Sequence, residues 1–88
     1  MEKVSIQFSK DLLSIVYDRF GTDIEIDRIT DSTFHVVAEV EVSPEFFGWL
    51  FRMGTGAKVL TPLYVAQRMK RWAKDVAEMY GVLQNSQE

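Results

Sequence analysis

Three stretches of the chain alternate between apolar and polar residues, which is the spacing of half-buried β-strands. They cover residues 4–8, 24–26 and 34–42, and a shorter apolar segment at 57–60 predicts a fourth strand. In the longest stretch the apolar residues share one face, and the other face is largely polar, with His35 among its residues. One apolar and one polar face is typical of an antiparallel sheet that helices cover on one side.

The segments between and after these strands have apolar residues at three- and four-residue spacing, which predicts amphipathic helices. The first helix is expected to begin after Ser9 as its N-cap and to end at Gly21. A serine cap followed by proline favours a helix start, so the second helix is expected to begin at Ser43. This second helix is unusually aromatic. The same pattern of cap and proline at Thr61 predicts the start of the third helix.

The predicted order of elements is strand, helix, strand, strand, helix, strand, helix. The first six elements match the split βαβ, ferredoxin-like arrangement. We therefore predict an α+β fold, a ferredoxin-like βαββαβ antiparallel sheet with helices on one face, plus a C-terminal helix. At 88 residues the chain is expected to form one domain over residues 1–81, and residues 82–88 are expected to form a disordered tail.

The last helix carries more apolar residues than one covered face needs. One line of apolar residues consists of Ala66, Met69, Ala73, Val76 and Tyr80. A second line beside it consists of Val65, Met69, Trp72, Val76 and Met79. The excess either completes the core or forms a contact surface for another chain or domain, and the sequence leaves both open.

Composition excludes several kinds of site. The chain has no cysteine and one histidine, so disulfides, thiolate metal sites, thiol nucleophiles and histidine-rich metal sites are excluded. No apolar run approaches the ~20 residues that a membrane span needs, and the N-terminus does not lead into a signal peptide. We expect a cytoplasmic protein with no membrane association and no cofactor.

The formal net charge of -3 is divided unevenly. Residues 1–60 carry a net charge of -4, whereas residues 61–88 carry +1 because Arg68, Lys70, Arg71 and Lys74 lie on the last helix. An acidic body argues against binding of nucleic acid through phosphate contacts by this chain alone. The basic residues are interpreted as a solvated helix face or, alternatively, as a contact for nucleic acid or for an acidic partner.

Candidate catalytic and metal-binding patterns are weak. His35 and Glu39 share one face of a strand, an acid and a base side by side, but a solvated sheet face is the favoured interpretation. The acids Asp23, Glu25 and Asp27 are expected on the polar face of the second strand, and with Asp31 they lack the glycine turn and final glutamate of a calcium loop. We therefore predict that the chain is not an enzyme, with no catalytic, cofactor-binding or metal-binding residues.

A longer run of residues resembles a known family. Residues 40–54, Val-Glu-Val-Ser-Pro-Glu-Phe-Phe-Gly-Trp-Leu-Phe-Arg-Met-Gly, resemble the C-terminal extension of WYL-domain transcriptional regulators. In that family a strand leads into a helix with a Trp-Leu step and a glycine, and a strand ending in proline follows, as at 58–62. The opening strand at 4–8 and the Phe-Gly step at 20–21 are also similar, so the resemblance covers about residues 3–80.

The resemblance implies a context and a role. Such regulators are bacterial and combine a DNA-binding winged helix-turn-helix, a WYL domain that senses a ligand, and this extension, which serves dimerisation and signal relay. The chain itself has no DNA-reading helix and no Trp-Tyr-Leu motif. DNA contact is therefore expected only through other domains of the regulator, and the chain is either an excised domain or a stand-alone remnant.

The expected partners are a second copy of the chain, giving a homo-oligomer, or an adjacent WYL domain on which it docks. The alternative is a small-molecule sensor domain with a pocket lined by few polar groups. Candidate contact residues for a partner or ligand are Tyr17, Arg19, Phe47, Trp49, Phe51, Arg52 and Trp72. For each aromatic residue, plain packing in the core is the competing interpretation.

Overall fold

The computed structural model describes residues 1–81. Its β-strands are β1 (Glu2–Ser9), β2 (Glu25–Ile29), β3 (Thr33–Val40) and β4 (Ala57–Thr61). Its α-helices are α1 (Leu13–Phe20), α2 (Pro44–Arg52) and α3 (Leu63–Met79), and short 3₁₀ turns cover Lys10–Leu12 and Gly54–Gly56. The α+β class and the helix that follows the last strand are confirmed. The predicted tail, residues 82–88, lies outside the described residues.

The four strands form one antiparallel sheet with the order β2-β3-β1-β4. β1 and β3 occupy the centre and pair along their whole length, from Glu2 opposite Val40 to Ser9 opposite Thr33. A strand with neighbours on both sides has its backbone donors and acceptors satisfied within the sheet. The two central strands therefore supply the apolar floor on which the helices pack.

One apolar cluster contains the alternate residues of the central strands together with residues of all three helices. Val4, Ile6 and Phe8 of β1 are buried, and so are Phe34 and Val36 of β3. The helices add to this cluster Val16, Phe46, Phe47, Trp49, Leu50 and Val65. No polar or charged residue among residues 1–81 is buried. The helices therefore cover one face of the sheet, as the alternation predicts.

The other face of the sheet is polar, and a β-bulge changes which residues of β2 lie on it. Glu25 pairs with Val37, but the register shifts after Ile26, so that Arg28 rather than Asp27 comes opposite His35. A bulge inserts one unpaired residue and so reverses the alternation beyond it. Asp27 is the residue that the shift leaves unpaired, and Arg28 takes the position opposite His35.

The first helix begins later than its sequence pattern predicts. Ser9 still pairs with Thr33 as the last residue of β1, and its side chain makes no cap hydrogen bond. The Lys10 amide then donates to the carbonyl of Ser32 at 2.9 Å, which ties the chain to the turn between β2 and β3. Regular α-helix begins only at Leu13.

The starts of α2 and α3 differ although both follow a hydroxyl residue and a proline. At α2 the Ser43 hydroxyl accepts a hydrogen bond from the Phe46 amide at 3.3 Å, which confirms the predicted cap. Thr61 instead ends β4, where it pairs with Ser5, so it does not cap α3. α3 begins at Leu63 without a side-chain cap, and the prediction of a second cap-and-proline start is wrong.

The two apolar lines of α3 do not stay covered along the whole helix. Val65 is fully buried, and Met69 and Trp72 pack against the core. Near the end of the helix, Met79 is 74% exposed and Tyr80 is 58% exposed. The core therefore uses the first part of α3, and both predicted lines run beyond it.

Candidate functional site

Helix α2 lies between α1 and α3 and contacts each of them through an aromatic side chain. Trp49 makes an edge-to-face contact with Phe20 of α1, with ring centroids 5.5 Å apart. Phe47 contacts Trp72 of α3 at 5.6 Å between centroids. A shallow cleft lies on each side of α2, one toward α1 and one toward α3.

The first of these, which we call the α1–α2 cleft, has a volume of about 370 Å³. Its lining residues are Ile15, Asp18, Arg19, Trp49 and Arg52. The Arg19 guanidinium carbon lies 5.3 Å from the centroid of the Trp49 ring, a cation–π arrangement. Trp49 is only 8% exposed, so the cleft has an aromatic floor and a charged rim.

The second, which we call the α2–α3 cleft, has a volume of about 280 Å³. Its lining residues are Pro44, Phe47, Arg68, Arg71, Trp72 and Asp75. Arg68 repeats the arrangement on the other side of α2, because its guanidinium carbon lies 5.6 Å from the centroid of the Phe47 ring. Beside the cleft, Phe51 stacks on Trp72 at 5.9 Å and remains 44% exposed.

One ion pair lies at the rim of the α2–α3 cleft. The Arg71 Nε and the Asp75 Oδ2 are 3.8 Å apart, one turn from each other on α3. Both side chains are more than half exposed, and such pairs contribute only about 0.2–1 kcal/mol to stability. The pair therefore sets the local charge of the cleft more than it holds the fold together.

A third cleft lies between α3 and the edge strand β4. It has a volume of about 250 Å³ and is mostly apolar. Its lining residues are Leu50, Ala57, Lys58, Val59, Ala66, Met69 and Lys70. Lys70 of α3 beside an apolar surface would suit a small apolar acid, whereas Lys58 pairs with Gln7 on the other face of the sheet.

A family model described as the WCX domain matches residues 1–77 of the chain. The chain belongs to the WCX family. WCX is the C-terminal extension of WYL-domain regulators, so the resemblance seen in the sequence is confirmed. None of the curated proteins and none of the solved structures compared with it gives a match.

The structure sorts the predicted contact residues of this WCX domain into two groups. Arg19, Trp49 and Arg52 come together in the α1–α2 cleft. Phe47 and Trp72 line the α2–α3 cleft, and Phe51 stacks on the edge of the same group. Tyr17 is half-buried on α1 and lines neither cleft.

Two of the three predicted aromatic residues on α2 belong to the core. Phe47 is 5% exposed and Trp49 is 8% exposed, so each offers a partner only a small part of its ring. Phe51 differs because it lies on the outer side of the helix. Of these aromatic residues on α2, Phe51 is the one whose ring a partner of the WCX domain could cover.

In the sequence, the arginines of α3 form a charge cluster, and nothing in the pattern places them beside the aromatic residues of α2. Arg68 and Arg71 are three residues apart and therefore share one side of α3, next to Trp72. This spacing indicates that the two arginines lie close to Trp72. It does not indicate the contact with Phe47, which lies under Arg68 only because α2 packs against α3.

The His35 ring on the open sheet face contacts a residue of the neighbouring strand rather than Glu39 of its own strand. Its Nε2 is 3.1 Å from the Gln7 amide oxygen on the neighbouring strand β1, whereas Glu39 on its own strand is exposed. Within residues 1–81 no group of three or more His, Cys, Asp or Glu residues is placed to hold a metal ion. No helix in that part of the chain is long and apolar enough to cross a membrane.

Proposed function

We propose that this WCX domain is a non-enzymatic C-terminal module of a bacterial, cytoplasmic WYL-type transcriptional regulator. It mediates dimerisation and relays signals between domains, and DNA is contacted only by other domains of the regulator. The WCX family supports the context. The observation that carries the role is the contact of the exposed Phe51 of α2 with the partly buried Trp72 of α3.

Exposed apolar surface rimmed by polar residues is a typical feature of docking surfaces. An apolar surface of this kind gains about 25 cal/mol for each Å² that a partner removes from water. Aromatic residues also lose little side-chain entropy on binding, and they are enriched at the centres of interfaces. Phe51 is 44% exposed, so a substantial part of its ring is available for burial. We therefore place the contact with a partner on the outer side of α2 and α3.

A relay needs a rigid connection between the docking surface and the rest of the domain. Phe51 contacts Trp72, Trp72 contacts Phe47, and Trp49 on the same helix contacts Phe8 of the central strand. Close-packed aromatic contacts transmit displacement because cores contain few voids to absorb it. A shift at the docking surface would therefore move α2 and the sheet together and change the orientation of attached domains.

The proposal includes the finer fold assignment. In a ferredoxin-like fold the two outer strands are the second and fourth in the chain. The two strands of each strand–helix–strand unit lie on either side of a strand from the other unit. The order β2-β3-β1-β4 with antiparallel pairing throughout supports this arrangement. α3 is then an addition to the six elements of the ferredoxin-like fold, and it lies on the side of β4.

Sedimentation equilibrium of the chain tests the dimerisation directly. We expect the average mass to rise with concentration toward that of a dimer, and Phe51→Glu to shift the protein toward the monomer. Ile29→Glu is the matched control, because Ile29 is 64% exposed at the opposite edge of the sheet, on β2. A wild-type protein that stays monomeric at all concentrations, or a loss that is equal in both variants, would contradict the proposal.

A second candidate function is that of a small-molecule sensor, and the cleft between α3 and β4 favours it. Its apolar lining with Lys70 of α3 at its edge is suited to a small apolar carboxylic acid. A ligand that binds only the native state raises the melting temperature by mass action. A thermal-shift screen of aliphatic and aromatic acids tests it, with Met69→Asp expected to abolish any shift. A uniformly flat response rejects this candidate.

A further inference from the structure

Within the described part of the chain, the Arg68 guanidinium lies over an aromatic ring and has no ion-pair partner. Its guanidinium lies over the face of Phe47, with the carbon 5.6 Å from the ring centroid. Among residues 1–81 no carboxylate oxygen lies within 4.0 Å of its nitrogens. The edge of a stacked guanidinium carries N–H groups in a planar fork that matches a carboxylate. Arg68 is therefore oriented for an acidic group that the described chain does not supply.

The surface next to Arg68 is apolar. Pro44, Phe47 and Trp72 line the α2–α3 cleft, and its volume is about 280 Å³. Pockets that enclose small molecules bury most of the ligand. The α2–α3 cleft is shallow, and the side chains of Arg71 and Asp75 at its rim are more than half exposed, so it suits one apolar side chain presented by a protein segment better than an enclosed small molecule.

We propose that the α2–α3 cleft binds an acidic segment of a partner protein. An apolar side chain of that segment enters the cleft, and a neighbouring carboxylate pairs with Arg68. This rests on the proposed function, since it names the chemistry that the docking surface recognises. Charge complementarity supports it, because the cleft carries Arg68 and Arg71 against a single acid, Asp75.

Asp75 sets the strength of this recognition. Its carboxylate pairs with Arg71 at 3.8 Å and so occupies the second arginine of the cleft. An incoming acidic segment must compete with Asp75 for Arg71, whereas no residue among 1–81 forms an ion pair with Arg68. Removal of the Asp75 charge is therefore expected to strengthen the binding of an acidic segment.

The two tryptophans of the chain provide a direct test by NMR. The Trp72 indole N–H reports on the α2–α3 cleft, and the Trp49 indole N–H reports on the α1–α2 cleft on the other side of α2. The probe is the blocked peptide Glu-Asp-Leu-Asp-Glu, compared with Gln-Asn-Leu-Asn-Gln and with Glu-Asp-Ser-Asp-Glu. We expect the first peptide to shift the Trp72 resonance and leave the Trp49 resonance unchanged. Both comparison peptides are expected to bind more weakly.

Variants test the residues. Arg68→Gln is expected to weaken binding of the acidic peptide about tenfold, the value of one charge-assisted hydrogen bond. Lys74→Gln is the matched control, because it makes the same charge change on the same helix outside the cleft lining and is expected to change affinity less than twofold. Asp75→Asn is expected to bind more tightly than the wild type.

Several results overturn the inference. They are equal binding of the acidic and amide peptides, equal losses in Arg68→Gln and Lys74→Gln, or tighter binding of oligothymidylate than of the peptide. The last result would assign the cleft to nucleic acid. Sedimentation separates this inference from the proposed function: a chain that dimerises through Phe51 but ignores the peptide retains the function and loses the inference. A chain that stays monomeric but binds the peptide retains the inference and contradicts the proposed function.

Discussion

Phe51 of α2 stacks on Trp72 of α3, with ring centroids 5.9 Å apart and ring planes 27° apart. The pair joins two helices that are otherwise connected through Phe47 underneath. Phe47 is buried, whereas Phe51 is 44% exposed. Of these three aromatic residues, Phe47 therefore belongs to the core, whereas Phe51 lies on the outer side, where a partner can cover it.

This division predicts different costs for two neighbouring aromatic residues. Trp49→Ala is expected to lower the free energy of unfolding by about 3–5 kcal/mol, because Trp49 is buried against Phe8 and Phe20. Phe51→Ala is expected to cost about 1 kcal/mol, since much of its ring is already in water. Urea denaturation of both variants measures this. Equal losses would show that Phe51 belongs to the core rather than to a docking surface.

The two serines that precede helical turns are expected to behave differently. Ser43→Ala should lower the free energy of unfolding by about 1 kcal/mol, because its hydroxyl caps α2 through the Phe46 amide. Ser9→Ala is the control, since the Ser9 side chain makes no cap hydrogen bond, and it should cost no more than about 0.5 kcal/mol. Thermal or urea unfolding compares them. A larger loss for Ser9→Ala would contradict the observed start of α1.

Two glycine substitutions are expected to have opposite signs. Gly21 has φ of 95° at the end of α1, and an added Cβ would lie 3.1 Å from the Asp23 Oδ1. Gly21→Ala is therefore expected to destabilise the protein by about 1 kcal/mol or more. Gly48 lies within α2 with no atom within 4 Å of an added Cβ, so Gly48→Ala should stabilise by about 0.5–1 kcal/mol. Melting temperatures that move in the same direction would refute this account.

Tyr64 is expected to titrate above its ordinary range. Its hydroxyl donates a hydrogen bond to the Glu2 carboxylate, and this bond raises the pKa of Tyr64 above 10.0. Because the pKa is raised in the folded state, the stabilising contribution is present below about pH 10 and is lost as the pH rises through the folded pKa. Absorbance titration of wild type against Tyr64→Phe isolates this group. Glu2→Gln should lower the pKa of Tyr64, and an unchanged value would exclude the contact.

Much of the fold follows from local patterns in the sequence. Alternation at 4–8 and 34–42 placed Phe8 and Phe34 in the core, and both are buried. The cap at Ser43 is local as well and was correctly predicted. Such features depend on residues close in sequence, so they can be recognised without knowledge of the tertiary structure.

The features that sequence reasoning missed depend on distant partners. Ser9 resembles a cap, but its pairing with Thr33 keeps it in a strand, and Thr61 is held in the same way by Ser5. The bulge after Ile26 depends on the register with β3. The α2–α3 cleft arises because Arg68 packs over Phe47, a residue that is distant in the sequence. These relationships appear only once the helices are placed on the sheet.

The central claim is that the outer side of α2 and α3, at Phe51 and Trp72, is a docking surface. The most direct measurement follows both indole N–H resonances as the protein concentration is raised. The account predicts that the Trp72 resonance shifts with concentration while that of Trp49, buried in the core, stays in place. A Trp72 resonance that does not change, or a shift confined to Trp49, would contradict it.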